Sequence, residues 1–152
     1  MQTFLPYPNF IRTAKALDGR RLNNQVNEGL VILKTLTGHS DGWKHHPAVK
    51  MWQGYEVALA QYIMAIADEC RRRWENEEAW YKRMDTIFTL LPNHRKSDLV
   101  PMPPWMGDEA FHRAHRQALL AKMPERYRQF WPHEEAKIDY VWPVSDKVQH
   151  GK

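Results

Sequence analysis

Apolar residues recur with a helical period over most of the chain. The first stripe follows Asp18, whose side chain suits an N-cap position, and Gly38 stands where such a helix should end. Its apolar positions fall at i, i+4, i+8 and i+11, and they are Leu22, Val26, Leu30 and Leu33. The pattern predicts an amphipathic helix between residues 18 and 38.

A second, longer stripe begins at His46-Pro47. Proline is tolerated in the first helical turn because its missing N–H has no partner there anyway. The stripe ends in three arginines, which complement the negative end of a helix dipole. Its apolar positions are Val49, Trp52, Leu59, Ile63, Ile66 and Cys70. We therefore expect one long helix from residue 46 to residue 73.

Shorter amphipathic stretches cover residues 79–90 and 108–122, while strand-like alternation is confined to residues 138–144. These patterns predict an all-α fold, a single compact domain over residues 1–152 built on two long helices plus shorter C-terminal helices. Four prolines fall within residues 91–106, which we interpret as an irregular connection inside that domain.

Length and cysteine content narrow the class of protein. A chain of 152 residues is long enough to bury a core, and its single cysteine excludes an internal disulfide framework. The N-terminus has no cationic region followed by an apolar run, and no stretch approaches the roughly 20 apolar residues of a membrane span. We expect a cytoplasmic protein without membrane association.

Composition points to nucleic acid as the first partner to consider. Seven Trp, six Tyr and five Phe accompany 22 Lys and Arg, with a net charge of +4. Cations neutralise phosphates and aromatic rings stack on bases, so this mixture is typical of nucleic-acid binding. A Trp-rich core under a mildly basic surface explains the same numbers equally well.

The polar face of the first predicted helix carries candidate chemistry. Arg21, Gln25 and Glu28 stand at i, i+4 and i+7, and Arg20 flanks them. A carboxylate beside guanidinium groups stays ionised and can act as a base or stabilise charge near a phosphate backbone. A solvated face with a weak ion pair is the alternative.

Histidines raise the question of a metal. His39, His45, His46 and His94 lack the one-face i, i+4 spacing of helical zinc ligands, and no HExxH or CxxC accompanies them. We expect no metal site, and His46 before Pro47 is more simply a helix-entry residue.

Two C-terminal segments are candidates for contact with DNA. Arg113 and Arg116 lie one turn apart in residues 108–122, beside His112 and His115. Residues 124–132 interleave cations with rings, which suits phosphate pairing and base stacking but suits packing onto helices equally well. From this segment and the proline-rich connection, the candidates are Trp105, Arg126, Tyr127, Arg128, Phe130 and Trp131.

Several segments together resemble the pyrimidine-dimer DNA glycosylases, the phage endonuclease type and its bacterial relatives. Residues 17–28 (LDGRRLNNQVNE) are similar to the first helix of that family, and residues 43–55 (WKHHPAVKMWQGY) resemble the bacterial branch. Residues 1–8, 67–73 and 123–130 also resemble segments of these proteins, and all the matching segments occur in the same order as in the family. The first two blocks are the distinctive ones.

The resemblance implies a monomeric all-α enzyme that acts on double-stranded DNA without a metal or other cofactor. Family members extrude a nucleotide at the lesion, cut the glycosidic bond and then cleave the backbone by elimination. Their nucleophile is the N-terminal α-amine, which attacks C1′ and forms an imine. A glutamate on the first helix assists, and Glu28 is the position that matches. Arg20, Arg21 and Gln25 match the lesion pocket, and Tyr127 and Arg128 match the tail that contacts DNA.

Two departures leave details open. Residue 2 of the phage type is small and becomes the N-terminus, whereas Gln2 is bulky enough to favour retention of Met1, which puts lyase activity in question. Residues 74–90 look longer than the family pattern, so an enzymatically modified base is an alternative substrate. A DNA-binding protein that lost its chemistry, or an unrelated helical protein with a histidine metal site, are further alternatives.

Combining the residue patterns with the resemblance gives one set of expected site residues. The catalytic groups are expected at Glu28 and at the amine of Met1 or Gln2. Contacts with DNA are expected from Arg20, Arg21, Gln25, His46, Arg113, Arg116, Arg126, Tyr127, Arg128 and Trp131.

Overall fold

The computed structural model describes residues 1–92 and 100–143. Within these residues the fold is all-α, as predicted, and contains no strand. The helices are α1 (Phe10–Ala16), α2 (Gly19–Leu36), α3 (Pro47–Lys50), α4 (Glu56–Trp74), α5 (Glu77–Leu90), α6 (Glu109–Lys122) and α7 (Pro124–Tyr127). No helix in the described ranges is long and apolar enough to cross a membrane.

Helix α2 has the bounds that its sequence predicts. The Asp18 side chain accepts a hydrogen bond from the Arg21 N–H, and Gly38 just past the end has a φ of +81°, which glycine adopts without strain. The buried face differs from the leucine stripe, because Gln25 and Gly29 belong to it while Leu30 is only partly buried.

The long second helix is shorter than predicted. Residues Pro47–Lys50 form only α3, and α4 begins at Glu56. Gly54 between them has a φ of +86°, which breaks the helical path. Trp52, predicted on the stripe of the long helix, precedes this break and is fully buried, with its ring next to those of Tyr62 and Trp105. His46 is the N-cap of α3, as expected, since its Nδ1 accepts from the Ala48 N–H at 3.0 Å.

Close packing of α2 against α4 forms the centre of the core. Gly29 makes room for Ile63, and a Cβ added at this glycine would lie 2.6 Å from the Ile63 Cγ1. At the C-terminal end of α4, Arg73 donates to the carbonyl oxygens of Ala14 and Lys15, so it joins α4 to the end of α1. These contacts join α4 to α2 on one side and to the end of α1 on the other.

The remaining predictions have mixed outcomes. Helices α5 and α6 appear where the shorter amphipathic stretches predict them. Residues 138–143 form no strand, and residue 144 lies outside the described residues. Of the proline-rich connection, residues 93–99 also lie outside them, and Trp105 on its far side is buried with its Nε1 donating to the Met51 carbonyl oxygen.

Candidate active site at the N-terminus

The N-terminal segment, residues 2–5, lies buried against α2, α4 and α6. Its backbone N–H and C=O groups lack a regular secondary structure, so buried side chains satisfy them. The Leu5 N–H donates to Nδ1 of His115, and Nδ1 of His112 donates to the Leu5 carbonyl oxygen, both at 2.8 Å. This clamp from α6 fixes the path of the first residues.

Gln25 binds the same segment from the side of α2. Its Oε1 accepts from the Phe4 N–H at 2.8 Å, and its Nε2 donates to the Gln2 carbonyl oxygen at 3.0 Å. The Tyr62 hydroxyl from α4 lies 2.6 Å from the same Oε1 and 2.8 Å from the Phe4 carbonyl oxygen. Gln25 is therefore a positioning residue within the core, which the expectation of a solvent-facing DNA contact did not foresee.

Glu28 lies at the start of the chain. Its Oε2 accepts a hydrogen bond from the Gln2 N–H at 3.0 Å, and Gln25 Nε2 lies 3.4 Å from the same oxygen. The carboxylate is half-buried, so one oxygen is held by the backbone while the group still reaches the surface. The three residues predicted to be catalytic, Met1, Gln2 and Glu28, thus come together.

His46 belongs to the same neighbourhood. Burial and the positive charge of the chain amino terminus lower the pKa of His46, and the Glu28 carboxylate opposes them in part. Because its Nδ1 accepts the Ala48 N–H, the proton of the neutral ring is on Nε2. The His46 ring is therefore within electrostatic range of the amino terminus and of the Glu28 carboxylate.

Asp18 connects the start of α2 to the C-terminal segment. Burial opposes its ionisation, but hydrogen bonds from Tyr127 and Arg21 outweigh burial and lower the Asp18 pKa. The Tyr127 hydroxyl accepts from the Asp18 N–H at 2.8 Å and donates to its carboxylate, while Arg21 Nη1 lies 3.1 Å from the same carboxylate. Arg21 is thereby held on the side of α2 that carries Glu28.

Residues 124–132, which we call the aromatic tail, bury two of their rings in the fold. The burial of Tyr127 and Trp131 corrects their expected role as a DNA-contacting surface. Tyr127 is completely buried, and Trp131 is buried and stacked on it with centroids 5.3 Å apart and planes 5° apart. Trp131 also donates through Nε1 to the Tyr7 hydroxyl at 2.9 Å. Of the rings considered for DNA, Trp105 is buried as well, and Phe130 is exposed.

Most of the expected phosphate-binding arginines already have partners in the fold. Arg126 donates to the carbonyl oxygens of Ala16 and Leu17, and Arg116 donates to the Pro6 carbonyl oxygen and pairs with Glu109 and Glu134. Three remain exposed. Arg113 pairs with Glu134 at 3.4 Å, Arg128 donates to the Glu134 carbonyl oxygen, and Arg20 has no ion pair with any described residue.

Several residues of the site carried no sequence signal strong enough to single them out. Tyr62 lies within the apolar stripe of α4, and a buried hydroxyl requires a hydrogen-bond partner, which is the one hint available. His112 and His115, grouped with the arginines on a polar stripe, are instead buried. Their one-turn spacing on α6 fits the clamp on Leu5.

Metal ligation finds no support in the described geometry. Among residues 1–92 and 100–143, no group of three or more His, Cys, Asp or Glu side chains is placed to hold an ion. His94, one of the histidines considered for such a site, lies outside the described residues.

Comparison with known proteins gives one match. A family model described as pyrimidine dimer DNA glycosylase matches residues 1–82. No curated protein and no solved structure matches the chain. The matched range contains Met1, Gln2, Gln25, Glu28 and His46, and it ends within α5, before α6 and the aromatic tail.

Proposed function

We propose that this chain, which belongs to the pyrimidine dimer DNA glycosylase family, excises a damaged pyrimidine from double-stranded DNA through its N-terminal amine and Glu28. Family membership supports a DNA glycosylase acting on pyrimidine dimers. The observation that carries the residue assignment is the 3.0 Å hydrogen bond from the Gln2 N–H to Glu28 Oε2. It keeps the carboxylate at the chain terminus, where an attacking amine and a proton-transfer group are both needed.

The proposed reaction begins with the amine lone pair. It forms a bond to C1′, the glycosidic bond breaks, and its electron pair leaves with the base, which takes up a proton. Opening of the sugar breaks C1′–O4′ with a proton delivered to O4′, and loss of the amine proton gives the imine. We assign these proton exchanges to Glu28, because its Oε2 accepts the Gln2 N–H at the start of the chain. Removal of a C2′ proton then expels the 3′ phosphate, which is the lyase step.

Which residue supplies the amine decides how the lyase step proceeds. When Met1 is present, the amine lies one residue beyond the Gln2 N–H that Glu28 binds. When Met1 is removed, the amine of Gln2 itself occupies that position. We propose that base excision occurs with either terminus and that backbone cleavage is efficient only with the amine of Gln2. Intact-mass measurement identifies which terminus the purified protein carries.

Phosphate contacts are proposed for the exposed cations at the edges of this site. Arg20 and Arg21 begin α2, and Arg20 is exposed. Arg113 and Arg128 are exposed on the C-terminal elements. We propose that Arg20, Arg113 and Arg128, together with the partly exposed Arg21, bind the DNA backbone. We also propose that the protein acts as a monomer and works in the cytoplasm without a cofactor.

Borohydride trapping on duplex DNA with a natural abasic site tests the proposal. Reduction of an imine leaves a covalent protein–DNA adduct, and peptide mapping should place it on the first residue. Glu28→Gln should lower excision from dimer-containing duplex by about 100-fold or more, in the range of a lost acid–base catalyst. Glu125→Gln, an exposed acid on α7, is the matched control. If no adduct forms although the affinity for DNA is intact, the chain is a DNA-binding protein without catalytic activity.

A further inference from the structure

Gln2 carries a side-chain amide on the same residue that supplies the amine once Met1 is removed. A glutamine in first position can react with itself. Its α-amine forms a bond to the side-chain carbonyl carbon Cδ, the Cδ–Nε2 bond breaks, and one amine proton passes to Nε2 so that ammonia leaves. The product is the cyclic lactam pyroglutamate, whose nitrogen is an amide and is no longer a nucleophile.

In the fold the Gln2 side chain is turned toward the following residue. Its Oε1 accepts a hydrogen bond from the Thr3 N–H at 2.9 Å. The residue is only 6% exposed, so the fold encloses its side chain. Cyclisation requires a different conformation, with Cδ folded back onto the nitrogen of the same residue. The hydrogen bond from Thr3 must therefore break, and the enclosed side chain must rotate, before the ring can close.

The backbone of Gln2 is held as well. Its N–H donates to Glu28 Oε2 at 3.0 Å, and its carbonyl oxygen accepts from Gln25 Nε2 at 3.0 Å. The residue is thus bound at its nitrogen, its carbonyl oxygen and its side-chain oxygen by three different residues, Glu28, Gln25 and Thr3. Bringing the nitrogen and Cδ together would break contacts at more than one of these points.

The leaving group receives no help from the part of the chain that the structure describes. Gln2 Nε2 is buried and has no hydrogen-bond partner among residues 1–92 and 100–143. Ammonia departs only after its nitrogen has gained a proton, which a neighbouring acid would have to deliver. Glu28 contacts the backbone nitrogen of Gln2 and the side chain of Gln25 instead. The folded arrangement therefore disfavours each step of the cyclisation.

We propose that Gln2, as the first residue, is a site of self-modification from which the fold protects the amine. Cyclisation proceeds in the unfolded chain, and the folded N-terminal segment suppresses it. Met1 excludes the reaction while it is present, because the nitrogen of Gln2 is then an amide. The consequence for catalysis rests on the proposed function, since cyclisation consumes the proposed nucleophile, whereas the cyclisation itself does not.

Intact-mass measurement over time tests the protection. The chain that begins at Gln2 is released from an N-terminal tag by proteolysis, then incubated folded or in guanidinium chloride, which does not carbamylate amines as urea does. The unfolded sample should lose one ammonia from residue 2 at least about tenfold faster, because a protected group reacts only when the segment opens. The chain that retains Met1 should lose none from this residue. Equal rates in the two samples, or no loss in the unfolded one, overturn the proposal.

Two variants that each lack one hydroxyl relate the rate to the hydrogen bonds of the segment. Tyr62→Phe removes the donor to the Phe4 carbonyl oxygen, and Tyr81→Phe removes an exposed hydroxyl on α5. The first should raise the cyclisation rate of the folded chain severalfold, and the second should leave it unchanged. Gln2→Ala, which has no side-chain amide, should keep its mass. Equal rates in the two tyrosine variants would show that the contacts of this segment do not protect Gln2.

Borohydride trapping distinguishes failure of this proposal from failure of the proposed function. Protein that is cyclised in denaturant and then refolded should form no adduct with abasic DNA, whereas the uncyclised chain should form one. If the uncyclised chain forms no adduct, the proposed chemistry is wrong, and the mass measurements still decide whether the fold protects Gln2. An adduct formed by the cyclised chain would overturn the claim that cyclisation consumes the nucleophile.

Discussion

The Tyr127 hydroxyl donates a 2.5 Å hydrogen bond to the Asp18 carboxylate, although 109 residues separate the two. The same hydroxyl accepts from the Asp18 backbone N–H at 2.8 Å. One side chain from α7 therefore completes the N-cap of α2, the helix that carries Glu28. The C-terminal segment thus contributes to the site through position, even where its rings are buried.

Replacing Tyr127 by Phe should lower stability. The change leaves the buried Asp18 N–H without its acceptor and removes one of the donors to the Asp18 carboxylate, which keeps its bonds from Arg21. The loss should cost about 1–3 kcal/mol in the free energy of unfolding. Urea unfolding measures the loss, and Tyr81→Phe, at an exposed position on α5, provides the control. Unchanged stability together with weaker DNA binding would show that the hydroxyl contacts DNA instead.

Replacing Gly29 by Ala should also destabilise the fold, although alanine favours helices. A new Cβ would lie 2.6 Å from the Ile63 Cγ1, so α2 and α4 would have to separate. Overpacking of this kind costs about 1–3 kcal/mol, which outweighs the roughly 1 kcal/mol of helix propensity gained. In a double-mutant cycle, combining Gly29→Ala with Ile63→Ala should destabilise the fold by less than the sum of the two single changes, because the smaller side chain removes the clash. Gly42→Ala, whose Cβ would be 3.6 Å from Ser40, should be close to neutral.

Stability should fall as the pH decreases from 7 to 5. Burial lowers the pKa of His115 to about 3, with His112 adding to the effect, and burial also lowers the pKa of His112. Both rings therefore take up protons at lower pH in the folded protein than in the unfolded chain, which is protonated near pH 6.5. Because the unfolded state binds more protons, the loss approaches about 1.4 kcal/mol per pH unit for each proton.

Unfolding midpoints between pH 7.5 and 5 measure this effect. His115→Gln supplies an acceptor for the Leu5 N–H without a titrating ring, so it should flatten the pH dependence by about one proton. His133→Gln, at an exposed position, should leave the slope unchanged. If the stability of the wild-type protein is constant across this range, the pKa values of His112 and His115 are not lowered by folding.

Two arginines should separate DNA binding from folding. Arg20 is exposed and has no ion pair with a described residue, so Arg20→Ala should weaken binding to every DNA sequence and reduce the salt slope by about one. Arg126 donates to the carbonyl oxygens of Ala16 and Leu17, so Arg126→Ala should act mainly on unfolding. Affinity titrations at several salt concentrations, paired with urea unfolding, distinguish the two effects.

Local signals predicted the bounds of helices well where caps determine them. Asp18 and Gly38 delimit α2 because a side-chain cap and a positive φ act within one turn. The break at Gly54 was missed, since apolar residues on both sides continue a helical spacing. The positive φ of Gly54, which that spacing does not reveal, ends the helical path there.

The site was predicted less completely, because long-range contacts create it. Glu28 is 26 residues from its partner Gln2, and no local pattern specifies that distance. The family resemblance pointed to Glu28, whereas the buried roles of Gln25 and Tyr62 depend on how α2 and α4 pack. Polar residues in a buried network look like surface residues in a sequence until the fold is known.

The buried path of residues 2–5 has a practical consequence for anyone who purifies this protein. An affinity tag fused before Met1 would convert the α-amine into an amide and would have to leave the fold next to Glu28 and His46. On the proposed mechanism such a preparation would fold and bind DNA without reacting, and its inactivity would say nothing about the protein with a free first residue. Recombinant material intended for assays should therefore carry its tag at the other end or lose it by cleavage that restores the native first residue.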